Sequence, residues 1–238
     1  MPASAPALPP PSNRLLSALP PEEYHRLALS LEPVPLDLKT VLHKEGEEFS
    51  HVYFPTRGVV SLLTVLGGGK GIEVGLVGCE GVVGLPLFLG SATTPFRALV
   101  QVPGDALRVR ADEFRARLRA APGTLPALLA GYTHAFLTQV SQLAACNSQH
   151  SIEKRCCRWL LMTHDRVGAD CFALTQEFLA SMLGVRRASV SEVARVLQRA
   201  RHVHFRRGRV TVLDRAGLEA SACECYRLVR AEFARLLT

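Results

Sequence analysis

Residues 174–213, LTQEFLASMLGVRRASVSEVARVLQRARHVHFRRGRVTVL, constrain the fold most, because they read as helix, tight turn, arginine-bearing helix and basic β-hairpin in immediate succession. The spacing predicts a first helix from about Thr175 to Leu183, with Phe178, Leu179, Met182 and Leu183 on one face and Thr175 as its N-cap. Gly184 supplies the backbone freedom that a short inter-helix turn needs, and a second helix starts near Arg187. Val190, Val193, Ala194 and Leu197 form its apolar stripe, so Arg187, Ser191, Arg195 and Arg199 fall on the opposite face at steps of four. His202–Phe205 then alternates like a strand, Arg206-Arg207-Gly208-Arg209 has turn character, and Val210–Leu213 returns as a second strand. This order is that of a winged helix-turn-helix. A hairpin tipped with three arginines is hard to bury, and double-stranded DNA is the expected partner.

The net charge of +7 is placed unevenly along the chain. Residues 1–148 hold 12 basic and 12 acidic side chains, whereas residues 149–238 hold 16 basic and 9 acidic. A neutral first part joined to a basic second part suits a polyanion, because release of counterions from phosphates drives sequence-independent affinity. No basic amphipathic helix with exposed large apolar residues is present, and the apolar run Leu76–Leu89 is broken by Glu80 and glycines, so no membrane partner is expected. Seven cysteines, Cys79, Cys146, Cys156, Cys157, Cys171, Cys223 and Cys225, form an odd set without a secreted-scaffold spacing, which predicts reduced thiols and a cytoplasmic setting. The start, MPASAPALPPPSN, lacks a basic segment and an apolar core, so a disordered tail over 1–13 is expected rather than a signal peptide.

A helix is predicted over Asn13–Leu31, with Asn13 as cap and Leu15, Leu16, Leu19, Leu27 and Leu31 facing inward. From Val34 to about Val109, short runs such as His51–Phe54, Val59–Val65 and Ile72–Val74 alternate with glycine turns, the pattern of a sandwich or jelly roll. Gly67–Gly71 with Lys70 sits between two such runs, so it reads as a hairpin turn and not a phosphate cradle. Leu125, Leu128, Leu129, Tyr132, Phe136, Val140 and Leu143 then mark a helix that at ~1.5 Å per residue reaches roughly 34 Å. So long a helix in so small a domain suggests pairing with its own copy through Leu128, Tyr132, Phe136, Val140 and Leu143; the alternative is burial along the β-rich domain. Asn147–His150 is the expected hinge, followed by a helix over Ser151–Arg166 that carries Ile152, Trp159 and Leu160 into the second core. The fold class is α+β: a tail over 1–13, a sensor over 14–124, a dimerisation helix over 125–148 and a reader over 149–238.

On these features residues 14–238 resemble the Crp/Fnr family of transcription regulators. The specific part is LTQEFLASMLGVRRASVSEVARVLQ, which matches the family's helix-turn-helix pattern almost without a gap, while the β-roll match rests on glycine positions. The resemblance implies a β-roll resembling a cyclic-nucleotide-binding domain, a long dimer helix and a homodimer on an inverted-repeat operator, with RNA polymerase as a further partner. A recognition helix entering the major groove presents its first turns to base edges, so Arg186, Arg187, Ser189, Ser191 and Glu192 are the readout candidates. The family's readers match Arg187, Ala188 and Glu192, with Ser191 matching one in the Fnr branch. Ala188 and Glu192 depart from the family's usual glutamate and arginine, so the operator sequence does not carry over. Glu192 reads equally as a partner for Arg195. Thr175, Gln176, Arg206, Arg207 and Arg209 are expected on phosphates.

In family members that bind cyclic nucleotides, a glutamate takes the ribose hydroxyl and an arginine the cyclic phosphate. Here Gly84 is followed by Leu85, the later pair falls at Thr94-Pro95, and Arg97 is two residues out of step, so a degenerate pocket and no response to cyclic nucleotide are expected. The first cysteine is Cys79, so the N-terminal cluster of an iron–sulfur sensor is missing. A redox role for Cys146, Cys156 or Cys157 competes with plain core packing. Cys223 and Cys225 are separated by one residue, too short for the usual zinc knuckle, and His202 with His204 has no third ligand nearby in sequence, so no metal and no cofactor are expected. No Gly-x-Ser-x-Gly, Walker loop or His-Glu-x-x-His occurs, and the chain is not expected to be an enzyme.

Overall fold

The computed structural model describes residues 12–67, 69, 71–120 and 123–236. The chain opens with two short helices, α1 (Arg14–Ser17) and α2 (Pro21–Ala28), where leucine spacing alone predicts one. Pro20 and Pro21 split it, because a proline ring clashes with the preceding turn and offers no N–H. Most of the expected tail lies outside the described residues, but Asn13 departs from that reading: it is fully buried. Its Oδ1 caps α1 by accepting from the Leu15 and Leu16 N–H groups, and its Nδ2 donates to the carbonyls of Pro55 and Gly81, each at 2.9 Å.

The strands β1 (Glu32–Leu36), β2 (Val41–His43), β3 (His51–Val65) and β4 (Gly71–Val77) lead through α3 (Leu85–Phe88) to β5 (Phe96–Arg110) and α4 (Ala111–Ala120). They form one antiparallel sheet in the order β1-β5-β3-β4, with β2 also on β5, and β3 returns to β4 through the glycine-rich hairpin. The runs His51–Phe54 and Val59–Val65 are a single strand bent by register shifts between Pro55 and Val60. Gly58 makes the bend possible: its φ is +87°, and a Cβ there would stand 2.6 Å from the Val102 carbonyl oxygen. Tyr53 and Val60 point into the roll with Leu36, Val77 and Val100, while Val52, Phe54 and Val59 point to the helices, where Phe54 meets Phe114 edge-on at 6.2 Å. Burial on both faces explains why β3 is apolar almost throughout.

The long helix α5 (Thr124–Gln149) runs through most of the expected hinge, so the break narrows to His150 and Ser151, which caps α6 (Ile152–Val167). After it come β6 (Cys171–Ala173), α7 (Gln176–Leu183), α8 (Arg187–Arg199), β7 (Val203–Arg206), β8 (Arg209–Val212), α9 (Arg215–Ser221) and α10 (Glu224–Leu236). The hairpin gains a third strand, since β6 pairs with β8, and α10 folds back along α5. That return covers two of the five residues of the expected seam on α5 and leaves Leu128, Phe136 and Val140 half-buried. Tyr132 and Leu143 are buried within the chain itself, together with Leu125, Leu129, Ala135, Gln139 and Cys146, and so are not free to meet a second copy. The outward face carries Leu137, 61% exposed, instead. Among the described residues no helix is long and apolar enough to cross a membrane.

Sensor and reader share one hydrophobic cluster, running from Phe54 and Leu76 of the roll through Trp159 and Leu160 to Leu179 and Val190. A buried polar network crosses the same junction. Glu73 on β4 accepts from the Trp159 indole N–H at 2.9 Å and lies 2.8 Å from the Ser61 hydroxyl, and the Gln101 amide donates to Thr163 of α6. Burial raises the Glu73 pKa from 4.5 to about 7, against the opposing effects of Ser61, Arg158, Trp159 and Arg166. A neutral Glu73 satisfies every group, since its hydroxyl donates to Ser61, which donates to Gln101 Oε1. A raised folded-state pKa means a stabilising contribution complete below about pH 4.5 and lost as the pH rises through about 7. Unfolding free energy measured by urea titration is therefore expected to fall by up to about 3 kcal/mol over this window. In Glu73→Gln that component of the slope disappears; an unchanged slope would show that Glu73 is ionised in the folded chain.

Candidate DNA interface and sensor cavity

Local chemistry sets the reader. Thr175 caps α7 by accepting from the Phe178 N–H at 3.1 Å, and Gly184 ends it at φ +66°, its own N–H and that of Val185 returning to carbonyls of the last turn. α8 then restarts at Arg187 and buries Val190, Ala194 and Leu197. Arg186, Arg187, Glu192, Arg195 and Arg199 are exposed, while Ser189 and Ser191 are half-buried. Among the described residues none of these arginines has a carboxylate within 4.0 Å, and Glu192 forms no ion pair with Arg195. Ser191 is different: its hydroxyl lies 2.7 Å from Gln176 Oε1 and 3.1 Å from the Arg187 carbonyl, so its one proton is held inside the chain and joins the two helices. Ser191 therefore keeps only acceptor capacity for a base, and Gln176 keeps its amide N–H groups for a phosphate.

The wing turn consists of Arg207 at φ +47° and Gly208 at φ +74°, the left-handed pair that a two-residue hairpin requires. Gly208 packs beside Thr175, where a Cβ would lie 3.7 Å from the threonine methyl. The exposed guanidinium groups of Arg206, Arg207 and Arg209 thus flank the N-terminus of α7, a second source of positive potential. Arg209 spends its Nε on Cys171 Sγ at 3.2 Å, leaving its terminal nitrogens. The structure therefore brings Thr175, Gln176 and the wing arginines to one edge, beside the exposed start of α8.

A cavity of about 380 Å³ lies between the roll and α5. Gly84, Leu85 and Thr94 line it as expected, but Arg97 does not: its guanidinium pairs with Glu45, the Nε bond at 3.0 Å. Thr94 is buried and its hydroxyl accepts from the Phe96 N–H. Phe136 and Val140, expected at a dimer seam, form the α5 wall together with Tyr132 and Leu137. No Asp, Glu, Lys or Arg is among the lining residues. His43 also lines the cavity, with an unpartnered Nε2, and stacks edge-on against Phe49 at 4.6 Å. Burial, then the nearby charge of His51, lowers its pKa to about 4, so it is neutral at pH 7. Among the described residues the Tyr132 hydroxyl is the other buried polar atom of the wall without a partner.

A further group escaped the sequence. Cys146 near the end of α5, His150 at its C-cap, and Cys223 and Cys225 at the start of α10 bring four ligand atoms within 4.8 Å of one another. Cys146 and Cys223 lie Sγ to Sγ at 3.5 Å, Cys225 Sγ and His150 Nδ1 at 3.7 Å. The Cys223 thiol hydrogen bond and the Arg158 charge hold the Cys146 pKa below the ordinary thiol range.

Residues 154–221 match the Crp-like helix-turn-helix domain, and residues 34–120 match the cyclic nucleotide-binding domain. Among curated proteins none matches the chain. Among solved structures, FixK2 from Bradyrhizobium japonicum is 16% identical, with a TM-score of 0.66 over 81% of this chain and 98% of that one. TTHB099, a CRP-family transcriptional regulator from Thermus thermophilus, is 22% identical, with a TM-score of 0.66 over 79% and 96%. A putative crp/fnr-family regulator from Eubacterium rectale is 19% identical, with a TM-score of 0.64 over 90% and 97%. These likenesses establish the fold. With a cyclic nucleotide-binding domain followed by a DNA-binding helix-turn-helix of the Crp type on that fold, the chain belongs to the Crp/Fnr family of transcription regulators.

Proposed function

We propose that the chain acts as a homodimer that reads an inverted-repeat operator, with a sensor that does not answer to cyclic nucleotide. The observation that carries the reading is a contrast in charge. Among the described residues the exposed arginines of α8 and the wing, Arg186, Arg187, Arg206, Arg207 and Arg209, stand without carboxylate partners, whereas no charged side chain lines the sensor cavity. Arg186, Arg187 and Glu192 read bases, with Ser189 and Ser191 beside them; Thr175, Gln176, Arg206, Arg207 and Arg209 hold phosphates. A cyclic phosphate enclosed by Leu85, Phe136 and neutral His43 loses its hydration without gaining a cation, so the cavity favours an uncharged, mainly apolar molecule. The dimer face is the outward side of α5 around Leu137, continuous with Val140. RNA polymerase is the further partner that the family resemblance suggests.

Light scattering is expected to give a dimer, and footprinting two half-sites with centres about 34 Å apart. A monomer that binds with full specificity would defeat the symmetric reading. Arg187→Ala is expected to relax discrimination at one base position at a cost of ~1–3 kcal/mol, whereas Arg207→Ala weakens all sequences alike and lowers the salt slope by about one unit. Gel shifts on specific and random duplexes over a salt series separate the two; equal losses on both duplexes for both variants would contradict the assignment. Finally, the operator is expected to be bound without added cyclic AMP or cyclic GMP. Micromolar binding of either nucleotide by calorimetry, with a change in DNA affinity, would overturn the sensor reading.

A further inference from the structure

The cysteines of this chain are divided by place. Cys79 and Cys171 are partly exposed, and Cys156 and Cys157 are packed in the apolar core, where burial raises both thiols. Cys146, Cys223 and Cys225 form a separate buried cluster of their own. His150 completes it, one helical turn beyond Cys146 on the same helix, so that α5 contributes Cys-x-x-x-His and the start of α10 contributes Cys-x-Cys. We propose that these four side chains are a mononuclear site for a thiophilic divalent cation of the zinc class, which ties the end of α5 to α10 at the junction of sensor and reader.

Three observations carry the assignment. First, the spacing is that of one tetrahedral ion. With metal–sulfur bonds of about 2.3 Å and metal–nitrogen bonds of about 2.0–2.1 Å, neighbouring ligand atoms stand roughly 3.5–3.8 Å apart. The two pairs resolved here, 3.5 Å and 3.7 Å, already lie in that range before any ion draws them together. Second, the histidine is oriented as a ligand. Its Nδ1 faces the thiols while its Nε2 lies 3.2 Å from Glu224 Oε1, the outer carboxylate that fixes ring tautomer and angle at metal sites. Third, the charge balances. Three thiolates around a divalent ion leave one negative charge, and the buried guanidinium of Arg158, only 2% exposed, sets a positive charge near Cys146. A disulfide between Cys146 and Cys223 would use two of the four groups and leave the orientation of His150 and the position of Cys225 without a purpose.

The test uses the full chain, reduced and desalted under nitrogen. Zinc measured by plasma mass spectrometry is expected at one ion per chain, and cobalt(II) titrated into the metal-free protein is expected to give tetrahedral d–d bands in the red with thiolate charge transfer in the near ultraviolet. Chelation is expected to lower the Tm. Cys225→Ser and His150→Ala are expected to lose the cobalt spectrum or to weaken binding by at least tenfold. Glu224→Gln, with every ligand kept, is expected to weaken it about 10- to 100-fold. Cys171→Ser, outside the cluster, leaves it unchanged. The proposal is overturned if the folded, reduced wild-type chain holds no stoichiometric zinc and gives no tetrahedral cobalt bands, or if Cys171→Ser removes them as fully as Cys225→Ser. A Cys146–Cys223 disulfide in freshly isolated protein, with no metal taken up after reduction, likewise overturns it in favour of a redox pair. Because the wild-type measurement decides by itself, a variant that fails to fold does not rescue the idea.

Discussion

Glu73 sits where the roll meets the reader, and the relative placement of the two domains depends on keeping its carboxyl satisfied away from water. Trp159 and Thr163 come from the reader's first helix, Ser61 and Gln101 from the roll, and each is connected through that carboxyl or its neighbours. Shifting α6 by one turn would leave several buried polar groups unpaired, at about 1–3 kcal/mol each. The apolar packing around it is non-directional, so the hydrogen bonds fix the register. Beside it, Arg166 pairs with Glu80 at 2.8 Å, donates to Gln139 of α5, and lies over the Phe233 ring of α10. One arginine thus bridges the roll, the long helix and the C-terminal helix.

The same cost of burying unpaired charge explains both working surfaces. Inside the cavity the chain places no charged side chain and holds its one histidine neutral, so the enclosed space selects against ionic molecules. On α8 and the wing the exposed arginines Arg186, Arg187, Arg206 and Arg207 remain in water, with no carboxylate within 4.0 Å among the described residues, where they lose little by waiting and gain on meeting phosphates. Ser191 and Gln176 mark the boundary between the two strategies: a polar pair used to lock α7 to α8, so that the exposed arginines stand on a rigid frame.

Much of the reader is legible in the sequence because its determinants are local. Thr175 and Gly184 bound α7 by capping, the stripe Val190, Ala194, Leu197 sets the buried side of α8, and Arg207-Gly208 forms the turn, all within a few residues of the groups they position. The seam on α5 is less legible for the opposite reason. An apolar helix face says that something covers it, not what does; here α10, β4 and the roll cover Tyr132 and Leu143, and Phe136 and Val140 turn to the cavity. The single bent strand β3 likewise reads as two, because Gly58 looks like a turn until its partner Gly104 is known to lie across from it.

The sequence by itself determined the class of fold, the order of sensor, long helix and winged reader, and the arginines that face solvent, since periodicity, caps and charge placement act over one or two turns. Only the tertiary structure decided what lies between elements. The cavity, the Glu73 junction, and the meeting of Cys146 and His150 with Cys223 and Cys225 join residues tens of positions apart. Neither pair carries enough ligands to announce a site alone. Packing α10 back along α5 creates their proximity, and no local rule of sequence encodes that return.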